Sequence, residues 1–307
     1  MAESDFDVVT GATGYTGRYI TRALLARGRR VRTLTGHPTR ANPFGDQIES
    51  VPYNFERPEE LKRSLEGARA LFNTYWIRFP HGGQTFDSAV ANTRIMLDAA
   101  TAAGVRKFVH ISVTKPTESS PLPYFRGKAM VEPAVKESAL SYAIIRPALI
   151  FGVEDILLNN IAWLLRRFPF FAIPGRGDYR VQPIFARDLG EIAANAAGDV
   201  QFVTFDAVGP EIFTFDELVR MIARAVHSKS RIVHVDPRVA VAFARIVGWF
   251  VRDVTLTRDE ARGLMSNLLV TLSQPNATTR FTEWLRSNAD KIGAGYVSEL
   301  ARHFRGT

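Results

Sequence analysis

Three glycines spaced three apart, Gly11, Gly14 and Gly17, stand in the run Asp7-Val8-Val9-Thr10-Gly11-Ala12-Thr13-Gly14-Tyr15-Thr16-Gly17-Arg18. An apolar stretch leads in and a helix-compatible stretch leads out. Gly11 permits a tight turn, Gly14 lets backbone approach a diphosphate, and Gly17 lets a helix pack close to the preceding strand. A helix opening at this point offers N–H groups and the positive end of its dipole to phosphate. Thr13, Tyr15, Thr16 and Arg18 share the turn and complete the candidate cradle. The alternative is a glycine-rich turn without a ligand. A second constellation is Tyr124 and Lys128, four apart, with Ser112 upstream at the end of an apolar run. On a helix, residues four apart share a face. A lysine there lowers the pKa of the phenol and equips it as a general acid or base.

Positioning such groups requires alternating strands and helices. Short runs rich in β-branched or aromatic residues predict strands at Phe6–Thr10, Val31–Thr35, Ser50–Tyr53, Ala70–Thr74, Lys107–Ser112 and Ser141–Arg146. Helices are expected at Tyr15–Ala26, Pro58–Leu65 and Phe86–Ala103, the last ended by Gly104. This alternation predicts an α/β chain with a doubly wound parallel sheet of the Rossmann type. After Arg146 the rhythm breaks. Pro147–Gly152 reads as a loop and Asp155–Arg167 as a helix. Val181–Phe185, Phe202–Asp206 and Arg231–Val235 read as strands, Asp188–Ala197 and Phe215–Val226 as helices, and residues 237–307 as mainly helical. The expected organisation is a dinucleotide-binding domain over 1–150, with returning segments near 181–207 and 231–236. A smaller, mainly helical substrate-binding region over 151–180 and 208–307 is interleaved with it.

Composition bounds the alternatives. There is no cysteine, hence no disulfide framework and no thiolate metal site. His37, His81, His110, His227, His234 and His303 show no metal-ligand spacing, and no metal is expected. The net charge is +8; residues 1–150 hold 20 Lys+Arg against 14 Asp+Glu, the remainder 19 against 17. The excess thus sits where phosphates are expected. No basic cluster with interleaved aromatics argues for nucleic acid. The N-terminus shows no secretory pattern. The longest apolar stretch, Val239–Val251, is interrupted by Arg245 and is too short to span a bilayer. A soluble, cytoplasmic protein is expected.

The spacing G-x-x-G-x-x-G in Thr10-Gly11-Ala12-Thr13-Gly14-Tyr15-Thr16-Gly17-Arg18 resembles the short-chain dehydrogenase/reductase superfamily, in its extended and atypical branches. Within these it is similar to the NmrA-like proteins and the nucleotide-binding accessory subunit of respiratory complex I. Ala100–Ser112, Ile145–Gly152 and Gln182–Leu189 resemble segments of the same group; Thr257–Leu268 and Phe281–Asp290 do so less specifically. The resemblance implies NADP or NAD as cofactor. It implies Tyr124 as proton donor, Lys128 as its partner and a holder of the nicotinamide ribose, and Ser112 as the hydroxyl that orients a carbonyl, with Thr114 as fallback. It also places Asn54-Phe55 at the adenine, Asn73-Thr74-Tyr75 along the ribose and pyrophosphate, and Pro147 beside the cofactor.

No carboxylate stands in Leu34-Thr35-Gly36-His37-Pro38-Thr39-Arg40, where NAD enzymes commonly place one for the ribose hydroxyls. Its absence, with His37, Arg40 and Arg18 nearby, favours NADP. Relatives often carry an arginine where Gly36 stands. Function then divides. The first reading is an oxidoreductase transferring hydride to or from a small or hydrophobic carbonyl or alcohol. The second is a non-catalytic NADP(H)-binding redox-sensing or accessory subunit, motivated by the short Ser112–Tyr124 interval. Arg166–Phe171 and Val239–Val251 raise a third possibility, peripheral membrane contact, against that of a buried helix. The aromatics Tyr75, Trp76, Phe79 and Phe168–Phe171 suit an apolar pocket or a core equally.

Overall fold

The computed structural model describes residues 6–198 and 202–303, without the side chains of Arg302 and His303. The expectations placed on residues 1–5 and on the His303 side chain therefore lie outside the described residues. The chain opens with β1 (Phe6–Thr10), α1 (Tyr15–Ala26), β2 (Arg30–Thr35), β3 (Ile48–Pro52), α2 (Pro58–Leu65), β4 (Ala68–Asn73), α3 (Phe86–Ala102), β5 (Lys107–Ile111), α4 (Pro123–Glu137) and β6 (Ser141–Pro147). It continues through β7 (Leu149–Phe151), α5 (Ile156–Arg167), β8 (Phe170–Pro174), β9 (Arg180–Val181) and β10 (Pro183–Phe185), then α6 (Ala186–Ala196) and β11 (Phe202–Ala207). It closes with β12 (Phe213–Thr214), α7 (Phe215–Ala225), β13 (Arg231–Val235), α8 (Pro237–Val251), α9 (Arg258–Met265), α10 (Phe281–Asn288) and α11 (Glu299–His303).

Two compact units result. The first comprises residues 1–147 and 186–207, the second 148–185 and 208–307. In the first, seven strands among the described residues form one sheet in the order β11-β6-β5-β4-β1-β2-β3, every pairing parallel. This is the doubly wound Rossmann arrangement, whose strand order reverses between β1 and β4. Val8, Leu34, Leu71, Phe108 and Ile144 of the strands pack with Leu61, Leu65, Met96 and Val131 of the helices in one core. At the start of β1 the fully buried Asp7 accepts from Arg29 at 3.0 Å and Arg69 at 2.9 Å. That pairing compensates the desolvation of its charge.

The second unit has its own core, with Phe151, Leu158, Ile161, Ile173, Leu218, Ile222, Phe281 and Trp284 among its members. Beside its helices its described residues hold three two-stranded ladders, β10-β7, β12-β9 and β13-β8. Here the structure corrects the expected strand assignments. Residues 231–235 do not return to the parallel sheet; they pair with β8, which occupies part of the aromatic run Phe168–Phe171. The expected strand Val181–Phe185 is broken at Gln182, whose backbone N–H donates to Leu269 and whose side chain bonds Gly209 and Thr271. Pro183 then lacks the N–H needed to continue the ladder. Only 186–207 return to the first unit. Pro147–Gly152 is no loop either: β6 runs through Pro147, and Leu149–Phe151 form β7.

Gly190 of α6 lies against α1 so closely that an added Cβ would sit 2.7 Å from the carbonyl carbon and oxygen of Tyr19. Neither helix backbone can yield cheaply. Gly190→Ala should therefore lower stability by about 1–3 kcal/mol, read as a lower urea midpoint with an unchanged slope.

Candidate dinucleotide site

The crevice of an open parallel sheet lies beyond the carboxyl ends of the strands where their order reverses. In this chain that point is bounded by Thr10-Gly11 after β1 and Thr74-Tyr75 after β4. Gly11 adopts φ +60° and donates its N–H to Leu34 at 2.8 Å; Gly14 N–H returns to the Gly11 carbonyl at 2.8 Å. Ala12 N–H is held by the Thr33 hydroxyl at 3.0 Å. A Cβ on Gly17 would fall 2.2 Å from the Gly11 carbonyl oxygen, one on Gly14 3.0 Å from it. Gly14 caps α1 without a side chain, and the first turn holds no acidic residue. An uncapped helix end, a tight backbone turn and no carboxylate fit a diphosphate in charge and in shape. Arg18 braces the turn by donating to the Thr13 carbonyl at 3.1 Å.

Thr10 ties the two strand ends together. Its hydroxyl accepts from Thr74 N–H at 2.7 Å and Tyr75 N–H at 2.9 Å, and its carbonyl accepts from the Thr74 hydroxyl at 2.5 Å. Beside this clasp Tyr53, Phe55 and Tyr75 form an aromatic trio with centroids 4.9–5.2 Å apart. The Tyr53 hydroxyl lies 3.8 Å from the Cβ that Gly11 lacks. Burial holds the phenols of Tyr53 and Tyr75 above their ordinary range, so both stay neutral donors. The Tyr75 oxygen accepts from Asn92 at 2.9 Å.

Asn54 takes a left-handed φ of +48°, and its side-chain oxygen accepts from Arg57 at 3.2 Å, a turn role. Asn73 is fully buried. Its Oδ1 accepts from Tyr75 N–H at 3.0 Å, which orients the amide so that Nδ2 donates to His110 Nδ1 at 3.1 Å. His110 is itself packed inside β5, and burial together with the Lys128 charge holds it well below the ordinary histidine range. His37 lies exposed and Arg40 half-buried after β2, their backbones joined by Arg40 N–H to the His37 carbonyl at 3.2 Å. Pro147 is buried at the end of β6, its carbonyl accepting from Thr114 N–H at 3.1 Å.

Tyr124 and Lys128 do lie on one helix, α4, which begins at Pro123. Trp76 joins them: the edge-on Tyr124 ring has its centroid 6.2 Å from that of Trp76, and Lys128 Nζ sits 4.4 Å from the Trp76 ring. Gly127 makes room, since its Cβ would be 3.0 Å from the indole. Lys128 is 3% exposed, and its ammonium donates to the Ile111 carbonyl at 2.6 Å. Burial pushes its pKa down to about 7, against the opposing pull of Glu132. Ser112 is committed elsewhere: its hydroxyl donates to Glu132 at 2.7 Å, and Glu132 is held by both Arg146 Nε at 2.9 Å and Arg146 Nη2 at 2.5 Å. Sequence reasoning missed Glu132, although Tyr124, Lys128 and Glu132 continue one four-residue period along the same helix face. Nothing local in the sequence announces Thr10 or Arg146, which act through partners 14 or more residues away.

Three outcomes are expected. Gly14→Ala keeps a permitted backbone and should fold, yet lose about tenfold or more in dinucleotide affinity by fluorescence titration; Gly17→Ala should also lose about 1–3 kcal/mol of stability. For Lys128, the depressed pKa penalises the folded state in full below about 7, and the penalty fades as pH rises towards the unfolded value of about 10.4. Melting curves of the parent chain should therefore gain on those of Lys128→Met as pH is raised from 7 to 10.

Residues 11–153 match the family described as NAD(P)H-binding. The NADH dehydrogenase (ubiquinone) 1 alpha subcomplex subunit 9, mitochondrial, of Arabidopsis thaliana is 27% identical over 285 residues, 89% of this chain and 69% of the relative. The Dictyostelium discoideum protein of the same name is 26% identical, and this chain spans 62% of it; the chain thus covers about two thirds of these relatives' length. A ceramide reductase of Caulobacter vibrioides is 28% identical over 78% of this chain and 77% of its own. In fold, the Citrobacter sp. triphenylmethane reductase complexed with NADP(H) superposes with a TM-score of 0.76 at 20% identity, covering 92% of this chain and 99% of that one. Glycine cradle, parallel sheet and relatives agree: residues 11–153 match the NAD(P)H-binding family, on a Rossmann-type sheet shared in fold with the NADP(H)-bound triphenylmethane reductase.

Proposed function

We propose that this protein is an NADP(H)-dependent oxidoreductase interconverting a carbonyl and an alcohol on a small or hydrophobic molecule. The observation that carries the reading is the grouping of Tyr124, Lys128 and Trp76 within the unit that holds the glycine cradle. Bound there, the dinucleotide supplies or accepts hydride. Tyr124 holds the phenolic proton that passes to the carbonyl oxygen as an alcohol forms, and takes it back in reverse. Lys128, four residues on, lowers the phenol's pKa when charged. The Ile111 carbonyl and the Trp76 face keep its ammonium in place. Trp76 and Phe86, both in edge contact with Tyr124, make an apolar wall suited to a hydrophobic substrate. The names of two relatives, a ceramide reductase and a triphenylmethane reductase, support that substrate class. The carboxylate-free segment after β2, with Arg40 half-buried, supports the 2′-phosphate of NADP.

One observation favours a second reading, an NADP(H)-binding accessory subunit without turnover. The Ser112 hydroxyl, which would orient a carbonyl, is given to the Glu132–Arg146 pair. The subunit 9 relatives fit that reading.

One series of measurements separates them. Titration should give tighter binding of NADPH than of NADH; the reverse order overturns the NADP assignment. Against a panel of long-chain and aromatic ketones, the parent chain should consume NADPH. Tyr124→Phe should cut kcat at least about a hundredfold while leaving NADPH affinity within a factor of about two. An unimpaired Tyr124→Phe removes the proton-donor role, and NADPH binding without turnover of any ketone assigns the accessory function.

A further inference from the structure

The second unit carries a feature unrelated to dinucleotide chemistry. One face of α8 is buried through Ala240, Val241, Val247 and Gly248. The other bares large apolar groups: Val239 is 55% exposed, Ile246 57%, Trp249 77% and Phe250 72%. At about 100° per residue these fall on one side of the helix together with the exposed Ala242. Arg238, Arg245 and Arg252, seven apart and all exposed, run along the edge of that side. The helix contains no aspartate or glutamate; Asp236 caps its N-terminus through Arg238 N–H.

The bared pair is not the frayed end of a helix. Arg252 closes α8 in a left-handed conformation, with its N–H on the carbonyls of Gly248 and Trp249. A Cβ on Gly248 would lie 2.5 Å from the Asp253 carbonyl oxygen, so the following turn presses on the helix. The Asp253 carboxylate is locked by Tyr296 at 3.0 Å and by Glu299 N–H at 2.8 Å. The Trp249 and Phe250 rings pack edge to face at 5.0 Å. Holding a tryptophan and a phenylalanine in water on a fixed helix end is costly unless something covers them.

We infer that the outer face of α8 docks on the surface of an anionic lipid bilayer. Trp249 and Phe250 would enter the headgroup–acyl boundary, with the arginine row among the lipid phosphates and carboxylates. The indole of Trp249, apolar with one N–H, favours that boundary, the phenyl ring of Phe250 adds apolar area beside it, and an apolar face edged by arginines fits a surface that is oily below and negative above. At 1.5 Å per residue the 15-residue helix is about 22 Å long, too short to cross. Among the described residues no helix is long and apolar enough to do so. A second copy suits the face poorly: the helix has no carboxylate row to meet its own arginines across a two-fold contact. Packed against α8, α9 adds exposed Arg258 and Arg262 against one exposed carboxylate, Asp259, and leaves the balance positive.

The test is flotation of the full chain with phosphatidylcholine vesicles, with and without phosphatidylserine. Binding is expected with phosphatidylserine, with a blue shift of tryptophan emission, and release by added salt. Trp249→Ala/Phe250→Ala should weaken it about tenfold or more. Arg238→Ser and Arg245→Ser should each weaken it about fivefold. All variants alter exposed side chains, and an unchanged melting curve shows that they fold. Absence of flotation with either vesicle, equal binding to both, or indifference to the Trp249/Phe250 change overturns the proposal. So does a dimer in sedimentation velocity that Trp249→Ala separates, which would give the face to a second copy.

Discussion

The first unit turns on the approach of the α1 backbone to the Gly11 carbonyl. That oxygen accepts the Gly14 N–H and occupies the space that a side chain on Gly17 would need. The helix can therefore start within one turn of the strand, with its N-terminal end at the reversal point of the sheet. Loss of side chains at three positions thus gives the connection a backbone surface that fits an anion. Thr10 extends the same logic. By bonding Thr74 and Tyr75 it fixes the end of β4 against the end of β1 and so ties the cradle to its flanking wall.

A second arrangement governs the chemistry available beyond the cradle. α4 buries Lys128 and Glu132 one turn apart, and each is compensated differently. Glu132 has Arg146 and Ser112, a charged fork and a hydroxyl. Lys128 has a carbonyl and an aromatic face, neither of them an anion, and its pKa falls accordingly. Along one face the helix therefore holds an ion-paired carboxylate and, a turn before it, an amine without an anion in direct contact, with Tyr124 a further turn before the amine. This asymmetry distinguishes a cluster that can take part in proton chemistry from one that only braces α4 against β5 and β6.

The two units solve packing separately. The first uses a continuous sheet covered by helices. The second uses short two-stranded ladders and helices around aromatic residues, with Phe151, Phe281 and Trp284 in mutual contact. Its helix ends are closed by local chemistry, as in the reciprocal Thr214–Glu217 and Thr257–Glu260 boxes. They are also closed from a distance, as where Glu211 accepts from Thr282 N–H and hydroxyl at the start of α10.

Short-range signals were legible in the residues alone. Glycine spacing, β-branched runs and helix period located β1, α1, β2, α2 and α7 to within a residue or two, because each depends on backbone conformations and neighbours a few positions away. The parallel Rossmann sheet followed from their alternation. The pairing of β13 with β8 was decided only by tertiary structure. A five-residue apolar strand fits any open edge, and which edge it meets depends on a core assembled from distant segments. The commitment of Ser112 to Glu132 and the burial of Lys128 over Trp76 were decided in the same way. A residue's type and spacing state which proton it could hold, whereas solvation and opposing charge, supplied by residues 17 to 52 positions away, determine whether it is held.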